Sequence, residues 1–436
     1  MVAFLTLLLA LTSGPHPVEV IASGDAERIV LLLDGELVGE VAGARGVAII
    51  DFGPLAPHSL EAVALDEAGE EIARTRQRVN VPKGVASVDL VVERRREGLP
   101  TVFRIVAESV WPAELTDREA RLNGGELPVS PEGRVHLPSY DPQAVQLLQV
   151  WVGFSSGVTA RAEVAFGGGF GEKVETRLTA VPLVRTGRSA PSPQTLGAAL
   201  EEDGRPLTVA AVDAGPGDLV LVRDQQSQEV LGRWIQETVQ RYWRRRLRGP
   251  RDLLPLAAGT RVRFVWPLLT ANAASAQDGF SMGEPVDAGE VGLFATLAEL
   301  ERPVLPQPIT DSVAVAGLMA AESERPRGVV LLLDPTTPDS SEHSPCEVRS
   351  YLARLGVPLL VWGTGDSGEV DSTWGVVRRL ESWGDLRAAV ADLDRSLASQ
   401  VTAWVEGDVG VEDVAIASDV AGLEIAGTSD FAPPCR

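Results

Sequence analysis

At 436 residues the chain is long enough for about three domains, and its 44% apolar content suits packed cores rather than disorder. A net charge of −22 argues against nucleic acid or an anionic membrane as a general partner. The apolar run 4–12 (FLTLLLALT) is too short for the ~20 residues of a bilayer span. It has the length of a signal-peptide core, so 1–14 is expected to direct export to the periplasm or beyond, although the run lacks a basic flank and a good cleavage site. No other segment could cross a membrane.

Residues 15–85 read as an all-β module. Short strand-like runs fall at 18–21, 28–33, 47–52, 59–65 and 71–81, with a hairpin signal at Asp34–Gly35 and a turn ending in Gly69. Regular short strands with turn signals predict an immunoglobulin-like sandwich. Residues 86–184 repeat the pattern, with runs at 88–92, 102–106, 144–154, 158–166 and 174–184, and predict a second sandwich. The Ser/Pro/Arg-rich stretch that follows makes 185–206 a linker.

From 207 to 409 strands and helices alternate, which predicts a doubly wound α/β domain. A strand at 218–222 stops just before Asp224, and a helix follows at 230–247. A strand at 262–266 and a helix at 311–323 come next. The run 329–333 is apolar throughout, as in a strand buried on both faces, and stops at Asp334. The next helix is signalled by Ser344, Pro345 and Glu347 at its start and Gly356 at its end. A buried strand at 357–362 completes a parallel crossover. Leu386, Val390, Leu393 and Leu397 mark a helix at 385–400, and 410–436 forms C-terminal strands and a tail.

Asp224 and Asp334 each end an apolar strand, where ligands of open parallel sheets bind. Two such carboxylates could hold a hard divalent cation, or they could cap the adjacent helices. Other motifs favour structural readings. Gly153–Gly157 matches G-x-S-x-G around Ser155, but a strand follows it where a nucleophile elbow needs a helix. Gly363–Gly368 matches G-x-G-x-x-G, but the acidic residues after it would repel a pyrophosphate. The arginines of 241–248 end a predicted helix, where they complement its dipole. The four histidines, His16, His58, His136 and His343, lack metal-ligand spacing.

The segments LVLVRDQQSQ (219–228), ITDSVAVAGL (309–318), GVVLLLDPTTPDSSE (328–342), LGVPLLVWGTG (355–365) and GDLRAAVADLDRSLASQ (384–400) resemble the bacterial proteins with a von Willebrand factor A-related domain. FGGGFGEKVETRLTAVPL (166–183) extends the resemblance upstream. It implies a metal site of Asp-x-Ser-x-Ser, a threonine and a second aspartate, carried here onto Asp224, Thr310 and Asp334 with Mg²⁺ as the ion. Both serine positions are glutamines, Gln226 and Gln228. Their longer side chains put oxygen where the close octahedral shell of Mg²⁺ does not want it.

The resulting expectation is an exported, non-enzymatic binding protein with a degenerate metal site. It would recognise a protein partner without metal, around Asp224, Gln226, Gln228, Thr310 and Asp334. The alternative is a scaffold in which the α/β domain is only a spacer. Exposed aromatic groups such as Trp266 or Phe280 at the loop end would favour binding. The two cysteines, Cys346 and Cys435, permit one disulfide between the tail and the helix at 345, and two free thiols fit nearly as well.

Overall fold

The computed structural model describes residues 2–6, 8, 11–22, 26–82, 86–96, 99–109, 115–123, 125–142, 145–154, 159–167, 178–186, 191–224, 227, 230–231, 233–234, 256–267, 280–282, 286–288, 307–323, 325–334, 337–364, 374–406, 409–417 and 422–427. It is rich in β-structure and divides into two units, Met1–Pro82 with Thr179–Arg436, and Lys83–Leu178.

The first module of the larger unit is a sandwich of two antiparallel sheets. One has the order Val2–Phe4, Pro15–Ala22, Arg45–Asp51; the other runs Glu36–Ala42, Arg28–Leu33, His58–Leu65, Glu71–Val79. Alternation dictates the core: Val18, Val20 and Ala22 from one strand meet Ile29, Leu31, Leu60 and Ala62 from the other sheet. Asp34 and Gly35 both take positive φ, 52° and 85°, as the tight hairpin between Arg28–Leu33 and Glu36–Ala42 requires. The strand Glu36–Ala42 carries few buried side chains, and its weak alternation hid it from the sequence reading. Part of the 4–12 apolar run is built into this module, since Val2–Phe4 pairs with residues 20–22 and Val2 and Leu8 are buried. A short apolar run suits a strand and a sandwich core as readily as a signal.

The smaller unit also holds two antiparallel sheets. Gly125–Leu127, Leu115–Leu122, Val145–Phe154 and Thr159–Gly167 form one; Arg134–His136, Leu99–Ser109 and Ala86–Arg96 form the other. Phe103, Leu148, Val150 and Phe166 fill the space between them.

Two boundaries differ from the sequence reading. Leu178–Arg185, expected to close the second sandwich, instead lies in a sheet ordered Val209–Asp213, Gln400–Glu406, Leu178–Arg185, Leu423–Ile425. The expected linker is largely structured. Its helix Pro193–Gly197 buries Leu196, and Leu200–Glu202 pairs with Arg205–Pro206 and Val414–Ile416. These segments share one core, with Leu183, Leu196, Leu200, Val401, Ala403 and Val414. They form a third β-module, interrupted by the α/β domain at 218–399. Neither half could close a core alone, so neither reads as a module in sequence.

The α/β domain is built on a largely parallel sheet. Its main order is Phe280–Met282, Arg261–Pro267, Asp218–Arg223, Arg327–Leu333, Leu359–Thr364, Val377–Leu380. Ranked along the chain these six strands run 3-2-1-4-5-6, with Phe280–Met282 antiparallel. Every residue of Arg327–Leu333 is buried. Val330 and Leu332 face a core shared with the helix Trp383–Ser399, through Leu386, Val390, Leu393 and Leu397. Val329, Leu331 and Leu333 face the opposite core, shared with the helices Ile309–Ala321 and Pro345–Arg354.

The ends of Pro345–Arg354 follow the sequence signals. Ser344 and Glu347 form a reciprocal capping box. At the other end Gly356 N–H donates to Ala353 O at 3.0 Å and Val357 N–H to Leu352 O at 2.9 Å, the Schellman pattern, with Gly356 at φ +64°. Cys346, in the first turn, is disulfide-bonded, while Cys435 lies outside the described residues. Helix Pro345–Arg354 also meets the first module. The Tyr351 hydroxyl donates to Asn80 O at 2.9 Å, and Leu55 is buried in the same core as Val348 and Leu352.

Arg327 begins the central strand and is itself buried. Its guanidinium donates to Ala321 O at 2.9 Å and Ser323 O at 2.8 Å after one helix, and to Leu355 O at 3.2 Å and Gly356 O at 3.4 Å after the other. It thus caps the negative ends of both helices on this face. Burial lowers its pKa to about 10, which leaves it charged at neutral pH. Replacing it leaves several buried carbonyls without donors, at about 1–3 kcal/mol per group. Arg327→Met is therefore expected to cost about 3 kcal/mol or more in urea unfolding of the full chain. Arg327→Lys, with one ammonium for two helix ends, should fall between.

Candidate functional site

Strands Asp218–Arg223 and Arg327–Leu333 are adjacent and parallel, and they are the pair at which the strand order reverses. Ligands of open α/β sheets bind at the carboxyl ends of such a pair. Asp224 and Asp334 follow those two strands directly, and the structure brings them together as the sequence predicted.

Their chemistry is turned inward. Asp224 Oδ1 accepts from Ser227 N–H at 2.6 Å and from the Ser227 hydroxyl at 2.6 Å. The first is the geometry of a helix N-cap, with the amide three residues on as donor. Asp224 Oδ2 accepts from the Asp334 N–H, and Asp224 N–H donates to Leu332 O at 3.1 Å. One side chain therefore starts a helix and ties two neighbouring strand ends together. Burial pushes the Asp224 carboxyl up, opposed by these donors. Ser227 completes the lock, with its hydroxyl also 3.1 Å from Leu332 O. The sequence reading passed over Ser227 because it occupies a spacer position of the metal motif; its place three residues after an aspartate was the available signal.

Thr310 is fully buried and faces a different carboxylate. Its hydroxyl donates to Asp339 Oδ2 at 2.5 Å, and its N–H to the same oxygen at 3.2 Å. Asp339 Oδ1 accepts from Ile309 N–H at 3.0 Å and from the Ser341 hydroxyl at 2.6 Å. Pro308 holds the N-cap position of Ile309–Ala321 and makes no side-chain cap, so Asp339 supplies it from another segment. That explains why this helix begins two residues before the sequence reading put it. A cap drawn from 30 residues away leaves no local trace.

The same loop is held again from within the first turn of this helix. Asp311 accepts from Glu342 N–H at 3.0 Å and His343 N–H at 3.2 Å, and its carboxylate meets His343 Nδ1 at 2.8 Å. His343 Nε2 lies 3.1 Å from the Ser13 hydroxyl, which joins the α/β domain to the first module. His343 is thus a structural link, consistent with a histidine that has no metal-ligand spacing in the sequence.

These groups do not fit a Mg²⁺ site. Both accepting directions of Asp224 Oδ1 are filled, and both serine positions of the motif are glutamine. Among the described residues, no group of three or more His, Cys, Asp or Glu side chains is placed to hold a metal ion. Gln226 and Gln228 lie outside the described residues, as do Ser155, Cys435, the arginines of 241–248 and the side chains of Trp266 and Phe280. Asp224, Thr310 and Asp334 are 1%, 0% and 8% exposed. They cannot form a contact surface as the sequence reading had it. Thr310 and Asp334 instead touch the loop 337–344 from within, through Asp339 and through the Thr337 N–H that donates to Asp334 O at 3.1 Å, and Pro338, Ser340 and Glu342 of that loop are exposed.

No family model matches the chain, and no curated protein matches it. Among solved structures it is similar to proximal thread matrix protein 1 of the mussel byssus, at 18% identity and TM-score 0.29, over 44% of this chain and 48% of that one. It is similar to the ArnB paralog VWA2 of Sulfolobus acidocaldarius at 10% identity and TM-score 0.25, over 63% of this chain and 54% of that one. A part is similar to the fibronectin(III)-like modules of Clostridium thermocellum CbhA, at 18% identity and TM-score 0.17, over 18% of this chain and 93% of that one. The chain thus spans about half the length of the mussel and archaeal proteins. Likeness this slight does not define a fold, which rests on the strand order and pairing.

Two outcomes follow from these contacts. Asp339→Ala removes the cap of Ile309–Ala321 and is expected to cost about 1–2 kcal/mol in denaturant unfolding, with Asp339→Asn retaining part. The Asp311 hydrogen bond raises the pKa of His343 above its ordinary 6.5, against burial, with the charges of Asp311, Glu347 and Glu342 adding to the rise. Burial would raise Asp311, but hydrogen bonds from His343 and the loop amides hold it below its ordinary 3.8. The pair's contribution is thus lost as pH falls through the lowered Asp311 pKa. It is fully present between 3.8 and 6.5, and it is lost as pH rises through the raised His343 pKa. The thermal midpoint gap between wild type and His343→Gln should be larger at pH 5.5 than at pH 8.5.

Proposed function

We propose that the chain is a non-enzymatic protein-interaction molecule whose α/β part is a von Willebrand factor A-type domain with a degenerate metal site. The 3-2-1-4-5-6 order of the six main strands, with Phe280–Met282 antiparallel at its edge, supports the A-type reading. The observation that carries the metal-free reading is the Asp224 carboxylate, whose oxygens accept from Ser227 and Asp334 at the place where a metal ion would sit. The partner would be a protein that meets the loop 337–344, held in one conformation by Asp339 and Asp311. A preformed loop binds with less ordering cost than a mobile one. The disulfide at Cys346 supports an oxidising compartment, and hence export to the periplasm or beyond.

A scaffold is the second reading. It is favoured by the buried seam between the first module and the α/β domain, with Leu55, Tyr351 and Asn80, which makes the larger unit suitable as a stiff spacer. Calorimetric titration of Mg²⁺ and Mn²⁺ into the full chain tests the metal-free reading. No saturable heat is expected for either ion, with or without Asp224→Ala. Saturable binding that Asp224→Ala abolishes would restore a metal-dependent partner. Cross-linking in the producing cell separates the two uses: links from 337–344 support recognition by this loop, and links confined to the sandwiches support the scaffold.

A further inference from the structure

Among the described residues, the strand Arg45–Asp51 is the last of its three-stranded sheet and pairs on one side only, with Pro15–Ala22. Soluble proteins commonly blunt such an edge with lysine, proline or a bulge. The sequence RGVAIID has neither residue, and its register to the neighbouring strand runs unbroken from Arg45 to Asp51. Its outward side chains are apolar instead. Val47 is 58% exposed and Ile49 73%. Pro17, which pairs with Ile49, continues the apolar face on the next strand.

The phase of the backbone fixes which groups this edge offers. Ala44 O accepts from Ala22 N–H at 2.7 Å, and Phe52 N–H donates to Gly14 O at 2.9 Å. In an antiparallel strand the N–H and C=O of one residue point the same way, and successive residues alternate. Even-numbered residues therefore bond within the sheet. The backbone groups of Arg45, Val47, Ile49 and Asp51 point away from it. These are also the residues whose side chains leave the sandwich.

We propose that this edge is a self-pairing interface, at which a second copy of the chain adds its own Arg45–Asp51 strand antiparallel about a two-fold axis at Ala48. In that register Val47 faces the second copy's Ile49, and Arg45 faces the second copy's Asp51. All four are residues with outward backbone groups, so hydrogen bonding and side-chain matching demand the same alignment. A slip by two residues puts Arg45 opposite an apolar side chain, or Asp51 opposite one. Pairing across a two-fold must be self-complementary, and this heptad is. Within the chain Arg45 already pairs with Glu19 at 2.8 Å, and Asp51 Oδ1 accepts from Gly53 N–H at 2.9 Å. Each keeps further hydrogen-bonding capacity for the other copy. Two three-stranded sheets would become one of six strands. The inference does not depend on the partner surface at 337–344.

Sedimentation equilibrium of the full chain over a hundredfold concentration range tests it. Wild type is expected to associate to a dimer, and Ile49→Lys to weaken association at least tenfold. Val47→Pro should do the same while leaving circular dichroism and the thermal midpoint near wild type, because the lost N–H faces away from the chain's own sheet. Arg45→Asp and Asp51→Arg alone should each weaken association, and the two together should restore it. The lost Glu19 contact is common to the Arg45→Asp single and the double variant, so restoration reads the contact between copies. A monomer at every concentration would overturn the proposal. So would a dimer indifferent to Ile49→Lys and Val47→Pro, or a double variant no better than either single.

Discussion

The carboxylate of Asp224 holds the strand-end region in one arrangement. It sits where two parallel strands emerge side by side from the middle of the sheet, and it is buried. A buried carboxylate is costly unless donors surround it. Here the donors are the Ser227 amide and hydroxyl and the Asp334 amide. The same bonds that make the charge tolerable cap the helical turn at Ser227 and fix the end of the neighbouring strand at Asp334. In a metal-dependent domain an ion could supply that organisation. Here hydrogen bonds within the chain supply it.

The opposite end of the sheet has a matching device of opposite sign. Arg327 enters the central strand beneath two helices and donates to the last carbonyls of both. Between these two points the strand Arg327–Leu333 is apolar on both faces and packs against helices on each. The third β-module follows from this construction. Strands on either side of the α/β domain in sequence, Val209–Asp213 and Gln400–Glu406, pair with each other, so the domain is inserted in a β-structure rather than hung from a linker.

What the sequence revealed follows the range of the forces involved. The capping box at Ser344, the Gly356 terminus, the Asp34–Gly35 turn and the apolar strand after Arg327 depend on residues within a few positions of one another, and all were legible. Asp224 and Asp334 were legible as residues that end apolar strands, and the pairing of those strands brings them together. The third module was not, since Leu196, Leu200 and Val414 find a common core only after more than 200 intervening residues have folded. The Asp339 cap and the Asp311–His343 link were hidden for the same reason. Polar residues in the loop 337–344 look solvated until the helix they serve is placed beside them. The roles of Asp224 and Thr310 as contact residues were misjudged because charge and polarity suggest exposure, and burial with full hydrogen bonding reverses that.

Amide hydrogen exchange at Asp334 and Ser227, followed in metal-free protein and again with Mg²⁺, tests most directly whether this region is held by its own hydrogen bonds. Those bonds predict slow exchange at both amides without metal, unchanged when Mg²⁺ is added, and acceleration at both in Asp224→Asn while the sheet core stays protected. Fast exchange without metal that slows on adding Mg²⁺ would contradict the account, because it would mean that the strand ends await an ion to order them.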